Sequence, residues 1–269
     1  MREAKQKRNP PLLESTGKIF SLFFFQGKRS KKTKVFLSIS IFPVLIALAI
    51  KFIQSITQEF TMPDISIFNN IIIFIYLQFL ILILSLFYGT SVCSDEIEGK
   101  TLTYLTTRPV PKSAIILGKY GAYTAIIALL VNAGIILSFL IININQLAGL
   151  SNFVVLLRAM GVLTLGLICY TAFFTMIGTF LKKSILFGLV FSFGWENVIQ
   201  YFPGSTQRFV IVHYLKSLLP QAGGQYSFLM FRLEPTPPGV AVGVLILLLA
   251  VFLALSCLIF TQKEYILED

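Results

Sequence analysis

Charge is scarce in this chain. Asp, Glu, Lys and Arg make up 13% of its 269 residues, about half the share of roughly 25% that a soluble domain carries. A water-facing fold of this composition would have too few polar side chains to cover its apolar surface. An ordinary globular domain is therefore excluded, and a disordered chain with it. Histidine occurs once, as His213, which makes a metal cluster improbable and leaves a histidine base without support. The three cysteines, Cys93, Cys169 and Cys257, are odd in number, scattered and in no CxxC spacing. They form neither a disulfide framework nor a zinc set and read as small buried hydrophobes.

Apolar side chains are abundant instead: 56% hydrophobic residues, 26 Phe and a mean hydropathy of +0.82. These are the marks of an all-α integral membrane protein. About 20 apolar residues are needed to cross roughly 30 Å of hydrocarbon. Six runs meet or approach that length: Val35 to Ile53, Ile71 to Tyr88, Tyr123 to Ile142, about Ala159 to Phe180, an irregular run from Ile185, and Val240 to Phe260. Each is apolar all round, which suits lipid rather than a soluble bundle. The first run is too long for a typical signal peptide and no small-x-small cleavage site follows it, so it is read as a retained span.

The net charge of +10 suits nucleic acid in isolation, but in a membrane chain an excess of Lys and Arg marks the cytoplasmic side. An even number of crossings puts both termini on one side. That side, comprising the N-terminus, the second-to-third and fourth-to-fifth connections and the tail, holds 17 Lys and Arg. The other holds five: Lys51, Arg158, Arg208, Lys216 and Arg232. The bias places both termini in the cytoplasm of a plasma (inner) membrane protein. One domain results: a basic N-terminus at 1–34, a six-span core at 35–260 and a tail at 261–269. Within the N-terminus, Leu13, Thr16, Phe20, Phe23 and Phe24 share a helical face between Leu12 and Gln26. The stretch is too short to span and basic residues follow it, which fits an interfacial helix on anionic lipid.

The second-to-third connection carries the strongest local signals. Gly99-Lys100-Thr101 looks like the end of a P-loop, but Ser94 stands where the motif needs glycine, and a span rather than a strand precedes it. No nucleotide or other cofactor is expected on this chain. Asp95, Glu96 and Glu98 suit the first turn of a helix, Gly99 permits a bend, and Leu102 and Leu105 share a face. Pro109 and Pro111 end the piece, and Ser113 can cap the helix that leads into the third span. These residues predict a short, rigid, charged cytoplasmic helix able to pass force from a soluble partner to the spans.

The residues Glu98-Gly99-Lys100-Thr101-Leu102, Arg108-Pro109-Val110, Lys112-Ser113 and Gly118-Lys119 resemble the membrane subunit of an ABC exporter of the type-2 permease class, with Lys100 as a departure from the family's pattern. Six spans, an N-terminal interfacial helix and two short outer helices before the last span are what that resemblance implies. It also implies pairing with a second permease subunit, identical or paralogous, and docking of a separate ATP-binding subunit. ATP and magnesium would sit on that partner. The docking residues would be Asp95, Glu96, Glu98, Gly99, Thr101, Leu102, Arg108 and Pro109.

In the fifth run, Ser192, Glu196 and Gln200 are spaced by four and share a face that Gly188 extends. A carboxylate facing lipid is costly. Either this face lines the translocation path or a subunit seam, or Glu196 lies at headgroup level with Trp195 as its anchor. Two outer helices are predicted, over Thr206 to Leu219 and Gln225 to Leu233. Gln78 and Asn132 are expected to bond between helices, Lys51 and Arg158 to snorkel outward, and Gly239 and Gly243 to permit close packing. The rival readings are an ATP-independent carrier or channel, which would more often carry paired ionisable residues within the spans, and a lipid-modifying membrane enzyme, which would need clusters of His, Asp or Glu.

Overall fold

A computed structural model describes residues 12–56, 63–98, 111–144, 150–181, 183–200, 202, 205–219 and 235–262. Among these residues there is helix and no strand, as lipid requires, because a backbone in hydrocarbon must satisfy its own hydrogen bonds. The elements are α1 (Leu12–Arg29), α2 (Lys31–Ile56), α3 (Asp64–Ile71), a π-helical segment (Ile72–Leu80), α4 (Ile81–Glu98), α5 (Lys112–Ile142) and α6 (Leu150–Phe180). Then follow α7 (Ser184–Val190), a second π segment (Phe191–Glu196), α8 (Asn197–Ile199), a 3-10 turn (Ser205–Phe209), α9 (Ile211–Leu218) and α10 (Pro238–Gln262).

Five stretches are long and apolar enough to cross a membrane, and a shorter apolar helix covers Ser184–Ile199. The six expected runs thus all become helix. Five cross by length, and the fifth in chain order is the short one. In the stretch Asp64–Ser94, 67% of the apolar window is buried, against 22% in Lys31–Ile56 and 11% in Pro238–Gln262. The second span is therefore the hub of the fold, while the first and last stand at its rim. Their exposed Leu45, Leu48, Phe52, Ile246, Leu247 and Leu258 form an apolar belt that suits lipid or another apolar surface.

The hub packs on the fourth span through small residues. A Cβ on Gly89 would lie 2.8 Å from the Thr171 carbonyl and 2.7 Å from Phe174 Cβ, and one on Gly178 would lie 3.0 Å from the Thr90 carbonyl. Thr171 Oγ1 donates across the same seam to Ser85 Oγ at 3.3 Å. Close approach of this kind is how helices gain dispersion energy where lipid offers no hydrophobic drive. Asn132 does bond between helices, donating to Thr164 Oγ1 at 3.0 Å. Gly239 and Gly243 do not serve as expected within the chain: nothing lies within 4 Å of a Cβ at either.

The interfacial stretch is also a packing element. Gly118 of α5 receives Ile19, whose Cγ2 would lie 2.6 Å from an added Cβ, and Gly27 of α1 receives Ile126 in the same way. Lys119 is buried with its Nζ 4.8 Å over the Phe23 ring. The side of α1 that faces α5 is thus set by Thr16, Ile19, Phe23 and Gly27, while Leu13 is 84% exposed. Phe20 also touches α5, at Gly121, yet keeps 36% of its surface open. The sequence-predicted face was centred about one residue too far round the helix, because it weighed large apolar residues and the contact uses glycines.

Candidate functional site

The buried polar residues of the second span, of α6 and of the short apolar helix Ser184–Ile199 meet at one place, with a short helix from the connection that follows. Glu196 is 1% exposed. One of its carboxyl oxygens accepts from Tyr170 Oη at 2.9 Å and from the Val212 amide at 3.2 Å; the other accepts from the Ile211 amide at 3.1 Å. Those amides are the first of α9, which are orphan donors in any helix. Glu196 is therefore the N-terminal cap of α9, supplied from another element. At the opposite end of α9, Arg158 of α6 donates Nε to the Leu218 carbonyl at 2.7 Å. An acid at the amino end and a guanidinium at the carboxyl end both complement the helix dipole. Leu215 completes the seat by filling the notch at Gly166 of α6.

One turn along, Gln200 Oε1 accepts from Gln78 Nε2 at 3.0 Å and from Lys216 Nζ at 2.7 Å. Its own Nε2 donates to the Asn197 carbonyl. Burial pushes the Lys216 ammonium down to about 8, because a desolvated cation is disfavoured. His213 lies on the same helix, with Nε2 2.9 Å from Thr236 Oγ1, and its pKa is lowered by burial and by nearby Arg208.

Two π segments frame this network. Gln78 comes from Ile72–Leu80 and Glu196 from Phe191–Glu196, and Phe79 meets Phe193 edge-on at 6.3 Å. A π turn widens the helix and re-aims its side chains. No residue type or spacing announced either segment. Tyr170 was missed for a related reason: an isolated tyrosine in an apolar run gives no signal until its partner is known.

Ser192, Glu196 and Gln200 do share one buried face. It is turned into the chain itself, and Gly188 meets Leu86 and Phe174. Glu196 is buried inside the chain, and Trp195 beside it is 47% exposed. Arg158 and Lys51 do not snorkel freely. Arg158 caps α9, and Lys51 forms an ion pair with Asp64 at 3.1 Å. The helix expected over Thr206 to Leu219 is two pieces, broken at Val210, which is extended with φ −114 and ψ 141. The Glu196 carboxyl starts a new helix at Ile211, so the chain must turn just before it. The second expected outer helix, Gln225 to Leu233, lies outside the described residues.

At the other end of the hub, Asp95, Glu96 and Glu98 do not open a separate helix. They lie in the closing stretch of α4, which runs unbroken to Glu98. The expectation rested on acidic residues preferring a first turn, but the preceding span simply continues through them. Gly99, Thr101, Leu102, Arg108 and Pro109 lie outside the described residues. Ser113 is not the cap of α5, which starts at Lys112 after Pro111, with no side-chain cap bond. No group of three or more His, Cys, Asp or Glu that could hold a metal occurs among the described residues.

A family model described as ABC-2 family transporter protein matches residues 20–265. No curated protein shows significant similarity to the chain.

Proposed function

The chain belongs to the ABC-2 family of transporter proteins and is a multi-pass membrane permease of that family, and from that premise we propose that it is the permease half of an ATP-driven exporter. A separate ATP-binding subunit would close on ATP and bear on the segment that follows Glu98. Asp95, Glu96, Glu98, Gly99, Thr101, Leu102, Arg108 and Pro109 would form the contact. A second permease subunit would complete the path.

The observation that supports this reading is continuity. Helical backbone runs without interruption from Asp64 to Glu98. Gln78 of the buried network lies near the middle of that rod, and its carboxyl end carries Asp95, Glu96 and Glu98 next to the proposed docking segment. A rod buried on most of its surface moves as a body with what it packs against. A push at Glu98 would thus reach Gln78, Gln200 and the α9 seat with little loss, which is the rigid-group motion that alternating access uses. The helix α1, locked onto α5 through Gly118, would be the second lever at the same end. Ser192, Glu196 and Gln200 would act as the joint that makes the fifth helix and α9 follow the second span.

Purification of the tagged chain in mild detergent, with its co-expressed ATP-binding subunit, tests the reading. A stoichiometric complex is expected, and Glu98→Lys should reduce recovery of the ATPase about tenfold, the effect of losing one or two interfacial charge contacts. Recovery that is unchanged by Glu98→Lys would remove the docking role of this end. A homo-oligomer that transports without any ATPase would favour the carrier reading instead.

A further inference from the structure

A second site lies at the basic end of the spans, away from the polar network. There α1, α2, α4 and α5 converge with the start of α7 and leave a cavity of about 640 Å³, within the range of roughly 300–1,000 Å³ that small-molecule sites occupy. Its walls carry both aromatic and polar side chains. Phe23, Phe36, Phe87 and Tyr123 line it, as do Ser30, Lys31, Lys32 and Ser91, and Phe36 and Phe87 stand one helical turn span-ward of Lys32 and Ser91. Lys32 Nζ donates to Ser91 Oγ at 3.3 Å, which anchors one ammonium beside a hydroxyl at the rim. Both lysines are exposed. Lys28, Arg29 and Lys34 flank them, so residues 28–34 carry five cations.

We propose that this cavity binds an anionic phospholipid from the leaflet at the basic end. Its phosphate would sit on Lys31, Lys32 and the Ser91 hydroxyl, and an acyl chain would lie along the aromatic wall. Three observations together select this occupant. The cations stand where the first span begins, at headgroup depth, and basic clusters at that position attract anionic lipid. The aromatic wall lies on the span side of the rim, where an acyl chain and not water is the neighbouring medium. A soluble phosphate would meet only exposed lysines in a high dielectric and would leave the apolar part of the cavity unfilled. The site needs only a membrane protein and is independent of whatever the permease carries. Its place gives it a consequence. It wedges between the α1–α2 turn and the last turns of α4, so an occupant would set the spacing of α1 and α4, the two proposed levers.

Native mass spectrometry of the full chain, exchanged into detergent with phosphatidylglycerol or phosphatidylcholine, tests the assignment. Retention of phosphatidylglycerol over phosphatidylcholine is expected. Retention should fall about tenfold or more in Lys31→Glu/Lys32→Glu, given the attraction each cation contributes, and also in Ser91→Trp, which fills the cavity at its rim. The lysine pair is exposed, so its reversal leaves the packing intact even if the tryptophan is not tolerated. Lys28→Glu/Arg29→Glu, outside the cavity, should retain the lipid. An equal loss in that control would reduce the effect to diffuse attraction and overturn the site. Equal retention of the two lipids, or displacement of phosphatidylglycerol by equimolar glycerol 3-phosphate, would overturn it as well.

Discussion

Glu196 is the residue on which most depends. It accepts three hydrogen bonds from two elements, and two of its donors are the first amides of α9, which have no acceptor within their own helix. Removing an acceptor shared by buried donors costs more than the bonds were worth net, because the donors are left desolvated. Glu196→Ala should therefore lower unfolding stability in detergent by about 2–3 kcal/mol, and Tyr170→Phe by about 1 kcal/mol. The same alanine variant should lose substrate-stimulated ATPase activity in the assembled transporter, since the fifth helix and α9 are uncoupled; wild-type stimulation would limit Glu196 to a structural role. Lys216 supplies a pH test. Its folded pKa of about 8 lies below the usual lysine value. Below pH 8 both folded and unfolded chains hold the proton, and burial penalises the folded one. Above it the unfolded chain binds more protons until its own pKa near 10.4, so stability should rise with pH across that window. Thermal unfolding from pH 7.5 to 10 should show this rise, and Lys216→Met should flatten it.

Helices here are joined at glycines, and the joints decide which elements move together. The α1–α5 contact is the clearest case, because an added Cβ at Gly118 meets both the Ile19 side chain and, at 3.0 Å, the Thr16 carbonyl. A backbone atom cannot swing aside as a side-chain tip can. Gly118→Leu should therefore displace α1 and cost about 1–3 kcal/mol, the usual penalty of overpacking. Limited proteolysis within Leu12–Arg29 would report the displacement, and unchanged resistance would argue that α1 tolerates a looser seat. Helix α9 is an opposite kind of element. Only eight residues long, it is far too short to be stable alone. It exists because Glu196 and Arg158 hold its two ends and Leu215 fills the notch at Gly166.

On the scale of the whole molecule, the spans sort into a buried hub and an exposed apolar rim, and the two ends differ in charge. The basic end carries the cavity lined by Lys31 and Lys32 and the carboxyl end of α4, and the opposite end carries α9 and the Lys51–Asp64 pair. Labelling with an impermeant thiol reagent in intact cells checks which end faces out. Ser217 is a poor reporter, being buried with its Oγ bonded to the Thr236 amide. Thr206 is exposed. Thr206→Cys should be modified from outside while Lys18→Cys, in α1, is protected until the cells are opened. The reverse pattern would invert the topology and place the docking segment outside, where no ATPase could reach it.

Much of this architecture was legible in residue type alone. A run of twenty apolar side chains has one stable form in hydrocarbon, so the helices and their order followed from composition. The asymmetry of Lys and Arg marked the two ends. The short motif around Glu98 and Gly118 pointed to the permease family before any fold was known. Spacing also put Ser192, Glu196 and Gln200 on one face, because the helical period alone decides that. It could not say what the face meets. Tyr170, Arg158 and the first amides of α9 come from three distant parts of the chain, and no period links them to Glu196. The two π segments and the break at Val210 were likewise settled by packing. Local propensity there is weak, while an unpaired polar group or a void in the interior costs several times more. Sequence determined what could cross the membrane and which way its charges lay; tertiary structure decided which buried polar group would satisfy which, since that depends on proximity that only the assembled helices create.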